Sequence, residues 1–220
     1  MKISNTKIAS FLLSACVLLA SPFSFAEGQP KVSLKTTMGE IVIELYPEAA
    51  PKTVENFLKY VKSGHYKGTI FHRVIDNFMI QGGGFDKDMK EKPTNKPIAL
   101  EAREALEHGL KNDLGVVAMA RTQDPNSASA QFYINVKDND FLNHQVLPEG
   151  DPVEYQYRGQ PVVEPRSRAL LKTAGYTPFG KVIKGMDVVE KIKVVETGDA
   201  KMMQNVPTKP VIIQSATLLK

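Results

Sequence analysis

The sequence predicts a mainly β domain, either a closed barrel or two packed sheets. Short apolar segments of strand length recur along the chain, while only two or three segments have helical periodicity. The 220 residues, 42% hydrophobic and 24% charged, suffice for one globular domain with its own core. The sequence contains no internal repeat and no interior linker, so we expect a single unit.

The first predicted elements are a β-hairpin and a helix. In residues 31–46, alternating apolar residues flank a turn at Met38-Gly39, which is typical of a hairpin with one buried face. The helix begins near Pro51 and ends before Gly64. Its apolar residues follow the i, i+3, i+4, i+7 spacing of a core-facing stripe. These residues are Val54, Phe57, Leu58 and Val61.

Residues 71–85, FHRVIDNFMIQGGGF, are the most informative stretch of the chain. They predict two short strands joined by a polar turn, followed by three glycines that permit positive φ or close backbone approach. A guanidinium, an aromatic ring, a thioether and a carboxamide lie within residues 73–81, which favours a small apolar pocket with a few aimed donors. The alternation predicts that one face of the first strand carries Phe71, Arg73 and Ile75.

Three other interpretations are compatible with a stretch of this kind. A phosphate-binding loop is disfavoured because neither the G-x-G-x-x-G nor the Walker pattern is present. A metal site at His72 is disfavoured because His65 is its only histidine neighbour in the sequence and no zinc-type pair occurs. A core hairpin with one incidental arginine stays open on the pattern alone.

The rest of the chain alternates strands with polar connections. We expect a polar connection over residues 86–97, a short surface helix over 101–108, and a polar loop over 121–130. A second helix is predicted at 186–192. Further strands are predicted at 115–120, 131–136, 179–183 and 211–219.

Residues 1–26 have the pattern of a signal peptide. Lys2 and Lys7 precede an apolar stretch of about 13 residues, and small residues precede a cleavage site after Ala26. The stretch is too short to favour a stable membrane anchor. Cys16 follows a sequence that resembles a lipoprotein box, but we expect cleavage after Ala26 and a periplasmic protein. The mature domain, 27–220, would then contain no cysteine and no disulfide.

The charge of the chain argues against nucleic acid as a partner. The net charge is +4 and the isoelectric point about 9.0, but removing the two leader lysines leaves about +2. The sequence has no run of basic residues interleaved with aromatic ones. The mild positive balance therefore gives no electrostatic footprint for binding nucleic acid.

Several motifs in order resemble the cyclophilin family of peptidyl-prolyl isomerases. They are FHRVIDNFMIQGGGF, GVVAMAR, SAQFYIN, FLNH and FGKVIKGMDVV. The resemblance extends over residues 32–219 and is strongest to exported bacterial members. It implies a closed eight-stranded antiparallel barrel with a helix closing each end. It also implies an enzyme without metal or cofactor that acts on proline-containing unfolded or partly folded polypeptides, and we expect a monomer.

The resemblance also implies the residues of the site. Arg73 matches the catalytic arginine, with His72 and Gln81 as the other active-site residues. The residues matched to substrate binding are Phe78, Met79, Ala120, Arg121, Thr122, Gln131, Phe132, Tyr133, Phe141, Leu142 and Tyr176. Three of these depart from the usual pattern: Tyr133 replaces Phe, Phe141 replaces the Trp of eukaryotic members, and Tyr176 replaces their His. The loss of the indole N–H argues against tight binding of cyclosporin.

Residues 145–175 form an inserted loop longer than in most relatives. The loop is rich in proline and its charges cancel. A passive insertion is one interpretation, because long loops cost little entropy. The alternative hypothesis, suggested by its position between Leu142 and Tyr176, is that the loop borders the substrate groove and helps to choose polypeptide segments.

Two functions are compatible with these residues. The first is an exported isomerase that accelerates rotation about X-Pro bonds in folding proteins. The second is a non-catalytic module or chaperone that binds proline segments, with Tyr133 and Tyr176 as signs of drift. The matching residues at Arg73, Gln81 and Leu142 favour the enzyme.

Overall fold

One curved antiparallel sheet of eight strands dominates the computed structural model, which describes residues 28–201 and 203–220. The strands are β1 Lys31–Thr36, β2 Gly39–Leu45, β3 Thr69–Ile75, β4 Met79–Asp86, β5 Val116–Met119, β6 Phe132–Asn135, β7 Val153–Tyr157, β8 Gln160–Glu164, β9 Pro178–Lys184, β10 Thr197–Ala200, β11 Met203–Pro207 and β12 Ile213–Leu219. The helices are α1 Pro51–Lys62, α2 Ala102–Glu107, α3 Arg166–Thr173 and α4 Met186–Lys193, with a 3₁₀ turn at Asp140–Leu142.

The sheet curls until its two edge strands meet. Its order is β12-β1-β2-β9-β5-β6-β4-β3, and β3 approaches β12 through a single bridge between Ile70 and Ile212. The Gly68 amide also donates to the Ile213 carbonyl at 2.8 Å, and the Phe71 amide to the Val211 carbonyl at 3.0 Å. The mainly β, eight-stranded architecture is therefore confirmed. A fully closed barrel overstates the pairing, because the two edge strands meet through a few hydrogen bonds only.

Helices α1 and α4 bury their apolar faces in the core enclosed by the sheet. Phe57 of α1 is fully buried and packs against the rings of Tyr66, Phe132 and Phe179, with centroids 5.1 to 5.7 Å apart. Pro51 occupies the start of α1, where its missing N–H costs no hydrogen bond. The predicted helix at 51–62 and its core stripe are confirmed.

A β-bulge breaks the predicted alternation of β3. Phe71 pairs with Gly82 and Arg73 with Gln81. A step of two residues along β3 therefore corresponds to a step of only one residue along β4, which defines a bulge in β3. As a result Phe71 lies in the main core, whereas Arg73 and Ile75 lie on the other side of the strand. The prediction that Phe71 shares a face with these two residues was wrong, because period-two alternation fails at a bulge.

Residues 145–175 are folded, contrary to the prediction of a loop. Strands β7 and β8 form a hairpin, and helix α3 packs against it. Burial of Leu147, Val153, Tyr155 and Ala169 gives this insertion a small apolar cluster of its own. Pro161 lies within β8, opposite Gln156, and the other prolines of the segment lie in connections outside the two strands.

The remaining elements agree with the sequence except at one hairpin. The strands predicted at 115–120, 131–136, 179–183 and 211–219 correspond to β5, β6, β9 and β12, and both further helices are present. The hairpin of β10 and β11 was missed because its sequence has few apolar residues.

The proposed signal peptide and Cys16 lie outside the described residues. Within 28–201 and 203–220, none of the helices combines the length and apolar character needed to span a bilayer.

Candidate active site

A chain of hydrogen bonds fixes the Arg73 side chain on the outer face of β3. Arg73 lies opposite Gln81 of β4, and its Nη1 donates to Gln81 Oε1 at 3.3 Å. Gln81 Nε2 in turn donates to Gln131 Oε1 at 2.9 Å. The two carboxamides therefore orient the guanidinium without adding a negative charge.

Glycine at position 84 makes room for this hydrogen-bond chain. A Cβ atom at Gly84 would lie 2.5 Å from Gln131 Cγ and 2.7 Å from its Nε2, far inside contact distance. The neighbouring Gly83 has φ of +88°, which other residues rarely adopt. Both uses expected for the glycine run, positive φ and close approach, are confirmed.

The Arg73 guanidinium is partly withdrawn from water and has no carboxylate partner among the described residues. Desolvation lowers the pKa of Arg73, but a guanidinium stays protonated at neutral pH. Its Cζ lies 6.0 Å from the centroid of the Phe78 ring. The charge is therefore available to a ligand that enters beside Phe78.

An apolar slot lies on the same side of the sheet as Arg73. Alternation in β4, β5 and β6 sends Met79, Ala118 and Tyr133 to this side and their neighbours into the main core. Leu142 of the 3₁₀ turn completes the buried part of the slot. Partly exposed residues around it are Ile75, Phe78, Ala120 and Tyr176.

The Tyr133 hydroxyl points away from the apolar contents of the slot. It donates to Asn112 Oδ1 at 2.8 Å, and burial raises the pKa of Tyr133 well above its ordinary value. Its ring meets that of Tyr176 edge to face at 6.0 Å. The slot therefore keeps an aromatic wall although Tyr replaces the expected Phe. Asn112 was missed by the sequence analysis, because a lone Asn in a connection carries no signal of its distant partner.

Phe141 forms part of the rim of the slot. It is 47% exposed and stacks on Phe78 with ring centroids 5.7 Å apart. Nearby, Arg121 lies over the Tyr176 ring at 4.5 Å and donates from Nε to the Gly175 carbonyl. The structure thus brings most of the predicted substrate-binding residues around one slot, with Thr122 exposed at its edge.

Two predicted site residues lie elsewhere. Phe132 is fully buried in the main core, because it faces the opposite side of β6 from Tyr133. His72 is also fully buried, with its ring 4.8 Å from that of Phe85; the Ile70 backbone and the Gln131 side chain lie near the ring, but neither nitrogen makes a hydrogen bond of normal length and angle among the described residues. Neither side chain reaches the slot, so their assignment to substrate contact and catalysis is corrected.

Burial keeps His72 neutral. Desolvation lowers the pKa of His72 from 6.5 to about 4, so the imidazole is uncharged near neutral pH. A neutral ring behind the strand cannot supply the positive charge of the site. Arg73 alone among the predicted catalytic residues brings a cation to the slot.

A family model described as "Cyclophilin type peptidyl-prolyl cis-trans isomerase/CLD" matches residues 31–218. The chain belongs to the cyclophilin family. It is 52% identical over 189 residues to the peptidyl-prolyl cis-trans isomerase cyp18 of Streptomyces antibioticus, covering 86% of this chain and 98% of that protein. It is 49% identical over 187 residues to peptidyl-prolyl cis-trans isomerase B of Escherichia coli, covering 85% and 98% of the two chains.

Solved cyclophilin structures share the fold. A cyclophilin from Hirschia baltica superimposes with a TM-score of 0.60 at 25% identity, covering 86% of this chain and 73% of that one. A cyclophilin-type isomerase from Cryptosporidium parvum, crystallised in the presence of the dipeptide Ala-Pro, also gives 0.60, at 24% identity over 86% of this chain and 99% of that one. The curled eight-stranded sheet of this cyclophilin is therefore the family architecture.

Substituting Gly84→Ala should impair isomerase activity without unfolding the protein. The added methyl group displaces Gln131, and the loss of its bond to Gln81 leaves Arg73 poorly oriented. We expect kcat/KM on an Ala-Pro peptide to fall by roughly tenfold or more. The matched control is Gly198→Ala, where the nearest atom to the new Cβ is an ordinary 3.8 Å away. Full activity in a folded Gly84→Ala protein would mean that Gln131 is not needed.

His72 should make the protein less stable as the pH falls. The unfolded chain takes up a proton near pH 6.5 and the folded chain only near pH 4, so unfolding binds protons between these values. The free energy of unfolding should therefore decrease as the pH drops from about 6.5 to about 4, by on the order of 2 to 3 kcal/mol. Urea unfolding of wild type and His72→Phe at several pH values measures how much of the pH dependence of the unfolding free energy comes from His72. An equal pH dependence in the two proteins would contradict it.

Proposed function

We propose that this cyclophilin accelerates cis-trans rotation about X-Pro bonds in unfolded or partly folded polypeptides outside the cytoplasm. The observation that carries the activity is the Arg73 guanidinium, which is free of carboxylate partners among the described residues and is held beside an apolar slot. The 45–52% identity to three proteins named as peptidyl-prolyl isomerases supports the same reaction.

The reaction requires a donor for an atom that changes during rotation. The C–N bond of a peptide has partial double-bond character and a rotation barrier of ~18 to 20 kcal/mol. In the twisted transition state this conjugation is lost, and the proline nitrogen gains a lone pair that accepts a hydrogen bond. A donor aimed at that nitrogen stabilises the transition state more than either ground state, which is the requirement for catalysis. Arg73 supplies a charged N–H that needs no proton transfer.

The slot has the separate role of holding the proline ring. Met79, Tyr133 and Leu142 offer apolar contacts to the ring while the preceding carbonyl group turns. Exclusion of water by the same residues strengthens the hydrogen bond from Arg73. A rate enhancement of about 10⁴ to 10⁶ requires only ~5.5 to 8 kcal/mol of differential binding, which one charged donor and good positioning can supply.

Gln81 and Gln131 act through Arg73. Gln81 accepts from the guanidinium and donates to Gln131, so Gln81 is a positioning residue rather than a second donor to the reaction. Ala120 and Arg121 lie beside the slot, where their backbone is expected to pair with the residue before proline. This assignment follows the family resemblance.

A non-catalytic proline-binding module is the competing function. The sequence argument for this binding module is that Tyr133 and Tyr176 replace two residues usual in the family. The hydroxyl of Tyr133 is bonded to Asn112 and its ring still lines the slot, so this replacement preserves the apolar surface. The enzyme is therefore the better proposal.

Export is part of the proposal and rests on residues 1–26. The positive start, the apolar stretch and the small residues before position 27 support cleavage after Ala26 and a periplasmic location. A monomer without metal or cofactor suffices for the mechanism, because Arg73, its carboxamide partners and the slot come from one chain.

Substituting Arg73→Ala should lower kcat/KM by roughly 10² or more, because the transition-state donor is removed. NMR exchange or a protease-coupled assay on an Ala-Pro peptide measures the change. Arg103→Ala is the matched control, since Arg103 is exposed on α2 and its ion pair among the residues that the structure describes is with Glu107. Near-wild-type turnover by a folded Arg73→Ala protein would remove Arg73 from the mechanism and favour the binding module.

Expression in a bacterium with two membranes should yield a periplasmic protein whose first residue is Glu27. Intact-mass measurement and fractionation test both points, and Ala26→Phe should slow the processing because the site requires a small residue. Cys16→Ser is the control and should be processed normally. A lipid-modified chain beginning at Cys16 would contradict the proposal.

A further inference from the structure

A large cleft in the described part of the molecule adjoins the slot and is built partly by the insertion. It has a volume of about 740 Å³ and lies between residues 121–123 on one side and the end of β7, the β7–β8 turn and α3 on the other. Leu142 and Tyr176 belong to both the cleft and the slot. A polypeptide with its proline in the slot therefore has the cleft as a direct continuation.

The cleft is lined by cations. Four of its twelve lining residues are basic and none is acidic; the basic residues are Arg121, Arg158, Arg168 and Lys172. Lys172 is compensated, because its Nζ lies 2.8 Å from Glu164. The three arginines have no ion-pair partner within the described residues. Glu164 lies near enough to Arg168 for the two charges to interact, but the four cations still leave the cleft with net positive charge, in a protein of net charge +4.

Two of these arginines are held in place with donors to spare. Arg121 lies 4.5 Å from the Tyr176 ring and donates from Nε to the Gly175 carbonyl and from Nη1 to the Thr122 carbonyl. Arg158 lies 5.3 Å from the Phe141 ring and 5.5 Å from that of Tyr157. A guanidinium stacked on an aromatic face keeps in-plane N–H groups available for a carboxylate.

The insertion that supplies Arg158 and Arg168 is internally braced. The carboxylate of Glu164 accepts hydrogen bonds from the Tyr155 hydroxyl and from Lys172 Nζ, which ties β8 to β7 and to α3. The buried cluster of Leu147, Val153, Tyr155 and Ala169 lies beneath the cleft wall. The backbone that carries Arg158 and Arg168 is therefore set by folded structure, as a specific subsite requires.

We propose that this cleft binds acidic residues flanking the proline, so that the enzyme prefers proline segments with nearby Glu or Asp side chains. The inference rests on the proposed isomerase function and names the substrate class of that same site. An extended chain advances about 3.3 to 3.6 Å per residue, so side chains two or three residues from proline reach about 7 to 10 Å into the cleft. Charge complementarity with three unpaired arginines selects an anionic occupant, and continuity with the slot selects the substrate polypeptide.

The test compares matched peptides that differ only in charge. Each contains one Ala-Pro bond, flanked by glutamates before the proline, by glutamates after it, or by glutamines in both places. At low ionic strength, kcat/KM of the wild type should be about fivefold higher on one glutamate peptide than on the glutamine peptide. The preference should vanish near 1 M salt, where the Debye length is about 3 Å.

Variants locate the preference in the cleft. The double variant Arg158→Gln/Arg168→Gln should lose it, whereas Lys35→Gln/Lys209→Gln should retain it. The control removes the same charge from two exposed lysines that do not line the cleft. Urea unfolding checks that both variants fold. Retention of the preference by the arginine variant, or its loss in the lysine variant, would overturn the proposal.

The outcomes separate the two levels of inference. If the wild type accelerates no peptide, the proposed function fails. If it accelerates the glutamine and glutamate peptides equally, only the acidic preference fails. Peptide binding gives a readout that is independent of turnover. It is measured on the Arg73→Ala protein by displacement of a fluorescent glutamate peptide. If a single-stranded RNA oligonucleotide binds there more tightly than the peptide at equal charge, the cleft is a polyphosphate site and the proposal is overturned.

Discussion

The site depends on a guanidinium that is partly buried but not neutralised. Withdrawing a charge from water is costly, and proteins usually offset the cost with an opposite charge. Here Gln81 provides a neutral acceptor and Gln131 holds Gln81 in turn. A carboxylate at position 81 would hold Arg73 more strongly but would consume its charge. The carboxamide pair instead orients the donor and leaves its electrostatic field for the ligand.

The backbone around Arg73 explains how one strand serves both the core and the site. The β3 bulge turns Phe71 inward and Arg73 outward, and it sets Arg73 directly opposite Gln81. The glycines of β4 then allow Gln131 to lie almost against the backbone. The bulge and the missing Cβ are thus as necessary to the site as the side chains that form it.

Strong local patterns predicted much of this molecule, and non-local contacts account for what was missed. The stripe of α1 and the alternation of β1 and β2 each specify a buried face, so these elements could be predicted from sequence. The bulge at His72 depends on pairing with β4, so alternation placed Phe71 on the wrong face. The family resemblance located Arg73, Gln81 and Leu142, but it carried Phe132 into the site although that residue faces the core. In the insertion, the alternating VEYQY and the following Arg158-Gly159 were a hairpin signal that the surrounding prolines obscured.

A row of aromatic contacts, rather than a direct contact, connects the insertion to Arg73. Arg158 lies against Phe141, Phe141 stacks on Phe78, and Arg73 lies beside the Phe78 ring. Each step is a weak, geometry-dependent contact worth about 1 kcal/mol. Such a row can bias the position of the rim but cannot replace the carboxamides that orient Arg73. The slot and Arg73 thus lie on the curled sheet, and the insertion adds a positively charged surface beyond them, which is where the proposed preference for acidic flanking residues would act.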